Sequence, residues 1–80
     1  MDKELAEYAV KVAFKSESDL NDLIPLLKEH CSENEYKKLA IAIATVASTI
    51  NTEILNHIYD AHPEIRDDVD RKINEYGRLI

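Results

Sequence analysis

The stretch from Ser32 to Tyr59, SENEYKKLAIAIATVASTINTEILNHIY, constrains this chain most. It holds no Gly and no Pro, and from Leu39 to Ala47 it is apolar on every face except at Thr45. A helix that is apolar all round has to be covered by other elements. The rest of the chain is therefore expected to be built around this one.

Its start is marked by Ser32 and Glu35, the spacing of a capping box in which the Ser hydroxyl and the Glu carboxylate each accept from a free backbone N–H. Leu39, Ile43, Val46, Ile50, Ile54 and Ile58 then recur every three or four residues, which predicts one helical stripe. Ala40, Ala44 and Ala47 line an adjacent strip that would let a neighbouring helix approach closely. A strand is the competing reading, since Leu39, Ile41 and Ile43 alternate with alanines and several residues are β-branched. No turn and no pairing strand lies nearby, so the helix is preferred. Its length far exceeds the usual 11–12 or so residues. Thr49 or Asn51 would serve as a new cap, which leaves a break or kink near Asn51 open, although the stripe itself runs through.

Eighty residues predict one domain, residues 1–80, burying only about 60–65% of its unfolded surface. Asp2, Lys3 and Glu4 stand where a signal peptide would begin with basic residues before an apolar run. The all-apolar patch is about half of what a bilayer span requires, so no membrane association is expected. A single Cys suits a reducing compartment, and the expected location is cytoplasmic. A net charge of −6 argues against direct nucleic-acid binding, which uses clustered Lys and Arg.

Around the long helix the sequence predicts three more. Residues 2–15 place Leu5, Ala9, Val12 and Ala13 on one face, widened by Tyr8, Val10 and Phe14, and Ser16-Glu17-Ser18 reads as a polar break. Residues 20–30 place Leu20, Leu23, Ile24, Leu27 and Cys31 together. Pro25 fits the early turns of that helix if Asn21 is its cap, and otherwise kinks it. Residues 63–77 open with Pro63 at a first helical position, carry Ile65, Val69, Ile73, Tyr76 and Ile80 as a buried stripe, and reach Gly77 as a left-handed cap or a tolerated interior glycine. The fold expected is all-α: a small four-helix bundle organised around a long, largely buried third helix at 33–59.

Chemistry is sparse. Glu53, His57, Asp60 and His62 are acceptable ligand types for a divalent metal. No pair among them is preorganised as in HExxH, and a solvated helix face explains them equally, so no metal and no cofactor is assigned. One Gly excludes a glycine-rich phosphate loop, and Ser, His and Asp stand at no triad-like spacing. Nor does so small a bundle leave room for a pocket of several hundred Å³. No enzyme is expected.

Acidity is the remaining signal. Glu17, Asp19 and Asp22 crowd one helix start, and Asp60, Glu64, Asp67, Asp68 and Asp70 crowd another, relieved only by Arg66. A charge run usually keeps a small protein soluble, but it also complements a basic partner. The function expected is a non-enzymatic protein–protein interaction module. Its first form is a small acidic inhibitor or immunity-type protein that masks a basic partner surface. The alternative is a homodimeric structural or adaptor protein, because an unbroken helix about 40 Å long outruns its shorter neighbours and pairing across a two-fold axis would cover the remainder.

Overall fold

The computed structural model describes residues 1–79 and is all-α, 90% helical. It contains three helices rather than four: α1 (Lys3–His30), α2 (Glu33–Ala61) and α3 (Pro63–Tyr76). The first two, 28 and 29 residues long, form a hairpin joined only by Cys31 and Ser32. The third lies along the end of the hairpin that holds the start of α1.

The two helices expected at 2–15 and 20–30 are one. Ser16 does not interrupt α1, because its hydroxyl donates to the Val12 carbonyl at 2.9 Å and is satisfied inside the helix. Serine lowers helix propensity by only about half a kcal/mol, too little to end a helix whose next turns carry a seam. Pro25 sits inside α1, where it removes one helical hydrogen bond. The half-burial of Leu20, Ile24 and Leu27 along the hairpin seam holds the helix together across it. Both ends of the hairpin are capped: Asp2 Oδ1 accepts from the Leu5 N–H at 2.8 Å, and Ser32 Oγ from the Glu35 N–H at 3.2 Å.

α2 does not end at Asn51 to start a new helix. It continues through a widened π-turn at Ile50–Leu55, where the Asn56 N–H bonds to the Asn51 carbonyl five residues back. Thr49 and Thr52 hydroxyls donate to the Thr45 and Ser48 carbonyls at 2.9 and 3.0 Å, so side chains satisfy backbone groups leading into the turn. The turn inserts one residue into the seam. Along α2 the covered positions run Tyr36, Ala40, Ile43, Ala47 and Ile50, and then step by five to Leu55 and on to Ile58. Leu55, 2% exposed, takes the place that an uninterrupted α-helix would give Ile54, which is 45% exposed.

The core is small: Ala6, Val10 and Ala13 of α1, Leu55 and Ile58 of α2, and Ile65 and Val69 of α3. This overturns the expected burial of the long helix. In its first 17 residues only Ile43 is buried, and Ile41 is 68% exposed. A two-helix hairpin covers one stripe on each partner, and a 14-residue α3 reaches only one end. The face of α1 agrees with expectation in part: Val10 and Ala13 point inward, with Ala9 and Phe14 packed against the core, but Ala6 joins them while Leu5, Tyr8 and Val12 point outward. On α3, Ile65 and Val69 are buried but Ile73 and Tyr76 are exposed, since that stripe runs past the elements able to cover it; Ile80 lies outside the described residues. Gly77 ends α3 as a left-handed cap at φ 73°, its N–H bonding to the Ile73 carbonyl at 2.8 Å.

Candidate interaction surface

The acids singled out from sequence do not form one free surface. Asp68 is held by Arg71 at 3.0 Å and Lys72 at 3.1 Å, and these hydrogen bonds keep its carboxyl below the usual range. Glu64 is lowered first by a hydrogen bond from its own backbone N–H and then by His62, 3.5 Å away. Asp60, Asp67 and Asp70 are exposed and enter no ion pair among the described residues.

Glu53, His57, Asp60 and His62 are not drawn together either: among the described residues no three His, Cys, Asp or Glu side chains gather as metal ligands would. Glu53 lies within the widened turn, where residues four apart no longer stack over one another. The His62 ring is engaged elsewhere, its Nε2 donating to the Met1 carbonyl at 3.2 Å and so tying the chain start to the α2–α3 joint. Cys31 closes α1, and the adjacent Glu35 carboxylate, with some burial, pushes its thiol up. Glu17 is the unsatisfied group of the hairpin: its Oε1 is buried without a hydrogen-bond partner, and desolvation raises its carboxyl.

The most apolar surface feature is one that charge and motifs do not point to. The hairpin face on the far side from α3 is open and apolar. Tyr8, Ala9, Val12, Ala13 and Ser16 of α1, with Ile50 and Ile54 of α2, line a groove of about 330 Å³. Its polar groups are the Tyr8 phenol and the Ser16 hydroxyl, the latter turned back onto the Val12 carbonyl. The strip continues at helical spacing through Leu23 and Leu26 on α1 and through Val46 and Leu39 on α2, all exposed. No charged residue occurs from Leu39 to Thr52, and the one charge on the α1 strip, Asp19, is held by Lys15 at 3.2 Å.

Two global quantities measure how open the molecule is. A compact monomer of 9.2 kDa exposes about 4,900 Å², whereas this chain exposes 5921 Å². Its radius of gyration is 14.8 Å, against about 12 Å for a compact chain of this length. The apolar content of α2 goes beyond its central patch. Its 29 residues include an 18-residue window of mean hydropathy 1.3, of which 11% is buried, so by length and composition the helix is long and apolar enough to cross a membrane.

The sequence anticipates an uncovered length of the long helix, in the homodimer alternative, but its periodicity turns Leu5, Tyr8, Val12, Leu23, Leu39, Val46 and Ile54 inward and so does not locate this face. The signal for it lay in the all-round apolarity of Leu39–Ala47 itself, more than an 80-residue chain covers. Comparison with protein-family models, curated proteins and solved structures finds no match for this chain.

Proposed function

We propose that the chain is a non-enzymatic protein–protein interaction module whose working surface is the open face of the hairpin, from Leu5 to Leu26 on α1 and from Leu39 to Ile54 on α2. The observation that carries this reading is the row of large apolar side chains exposed on both long helices, on a molecule with roughly 1,000 Å² more surface than a compact monomer. Contiguous apolar patches above a few hundred Å² mark interaction sites in soluble proteins. A free Cys31 thiol suits a reducing, cytoplasmic setting for such a module.

Hydroxyl-radical footprinting tests it in a concentrated extract of the cells that make the protein. Tyr8 on the face and Tyr76 on α3 are 66% and 52% exposed and serve as matched reporters. Protection of Tyr8, Leu26 and Leu39 while Tyr76 stays reactive is the result expected. Equal reactivity of the two tyrosines overturns the reading.

A second reading, an acidic inhibitor or immunity-type protein, is favoured by the exposure of Asp60, Asp67 and Asp70 without a cationic partner among the described residues. Under that reading Asp67→Asn with Asp70→Asn leaves melting unchanged, slows association with a basic partner and flattens its salt dependence. Unaltered rate and salt dependence would remove it.

A further inference from the structure

We infer that the occupant of the open face is a second copy of this chain, docked face to face across a two-fold axis to make an antiparallel four-helix layer. The inference rests on the interaction-module reading above and names its partner.

Area is the first argument. A standard specific interface buries about 800 Å² on each partner, close to the surplus of roughly 1,000 Å² that separates this chain from a compact monomer of its mass. The molecule measures 44 × 25 × 16 Å, so its broad face is large enough for such a contact.

Charge is the second. Two copies each carrying −6 repel through most of their surfaces. The face from Leu39 to Thr52 has no charge at all, and Asp19 is neutralised by Lys15 in its own helix. This is the surface through which like-charged copies approach with least repulsion.

Shape is the third, and it sets the axis. The face has a concave end, the groove between Tyr8 and Val12 on one side and Ile50 and Ile54 on the other. Its other end carries Leu23, Leu26 and Leu39 at a part of the hairpin that α3 does not reach. A two-fold axis lying in the plane of the face, across the helices near Ser16 and Val46, lays the leucine end of each copy into the groove of the other. Self-complementarity of this kind is what an isologous interface requires. It also covers Leu39, Val46 and Ile54 of α2, in the layered arrangement of four-helix bundles. A bilayer suits the face less well. To span one, α2 would shed α1 and α3 from Ile43, Leu55 and Ile58, and α1 is charged along its length.

Sedimentation velocity on the full chain, from about 1 to 100 μM, reads the mass directly. The expected species has twice the 9.2 kDa chain mass. Val12→Lys and Leu23→Glu each place a charge on an already exposed position, so helicity is retained, and each weakens self-association at least about 100-fold. Mixing the two variants restores a dimer, because the axis sets residue 12 of one copy beside residue 23 of the other. Wild-type chain that stays monomeric throughout overturns the inference, as does a dimer indifferent to both variants or a mixture that fails to reassociate. Monomer in solution with Tyr8 protected in the extract removes the second copy and leaves the interaction-module reading standing. Monomer that floats with phosphatidylcholine–phosphatidylglycerol vesicles, and loses flotation on Val12→Lys, removes both.

Discussion

Replacing Ile54 and Leu55 one at a time by alanine separates the two possible registers of α2. The regular stripe of the sequence places Ile54 in the seam. The π-turn at Ile50–Leu55 places Leu55 there instead, 2% exposed against 45% for its neighbour. A buried Leu→Ala change costs about 2–5 kcal/mol, from lost transfer energy and the cavity left behind. Leu55 belongs to the core where all three helices meet, so about 3 kcal/mol is expected. Ile54 has already left nearly half its surface in water, and its truncation should cost about 1 kcal/mol or less within one chain. A domain of this size has a total stability of roughly 4–12 kcal/mol, so Leu55→Ala removes a large share of it. In urea, with a slope of about 1 kcal/mol/M, its midpoint falls by about 3 M and that of Ile54→Ala by about 1 M or less. The comparison belongs at the lowest workable concentration and again at a high one, since Ile54 also lines the proposed contact between copies. The loss at Leu55 persists at both, whereas any extra loss at Ile54 grows with concentration. Equal losses at low concentration, or a larger one at Ile54, would show that α2 runs through residues 50–55 as a regular α-helix.

Glu17→Leu should stabilise the chain by about 1 kcal/mol, because it removes a buried carboxylate oxygen that has no hydrogen-bond partner; a lower melting temperature would mean that the carboxylate is satisfied in solution. The pH dependence follows from the same group. A carboxyl raised by desolvation favours the folded state fully below its unfolded pKa, and that gain is lost as pH rises through the folded value. Glu64 and Asp68 are lowered, so their contribution is present above the unfolded pKa and is lost as pH falls through the folded one. Melting temperature should therefore rise slightly as pH drops from neutral toward the carboxylate range and then fall on further acidification, and Glu17→Gln should abolish the rise while keeping the fall. Gly77→Ala should cost about 1–2 kcal/mol, since the residue sits at φ 73° with open space around it and the penalty is purely one of backbone conformation; Gly77→Asn should cost less, and an equal loss for both would point to a packing role instead.

Several features were set by local chemistry and so were readable from the sequence. Ser32 caps α2, Pro63 begins α3 and Gly77 ends it, because hydroxyl acceptors, a fixed φ and a missing Cβ act within one turn of where they stand. The absence of strands among the described residues follows equally from the helical spacing and the lack of turn residues between apolar runs. The length of α1 was not readable: whether Ser16-Glu17-Ser18 breaks a helix depends on the seam gained by continuing, and that seam exists only when α2 lies alongside. Periodicity also left the inward face of each helix ambiguous by one residue. On α1, Ala6 took the inward place expected of Leu5, and Tyr8 and Val12 turned outward while Val10 and Ala13 stayed in, because a small side chain at position 6 lets α1 approach its neighbours closely, a matter of fit between helices. The π-turn was likewise decided in three dimensions, where one inserted residue turns Leu55 and Ile58 together into the junction of three helices. The acids near α3 were visible in the sequence, but only the structure separates Asp68, neutralised by Arg71 and Lys72, from Asp67 and Asp70. The sequence determined that α2 is apolar on nearly every side. Only the tertiary structure decided which side the chain itself covers, since a hairpin and one short helix have a limited area to bury it with.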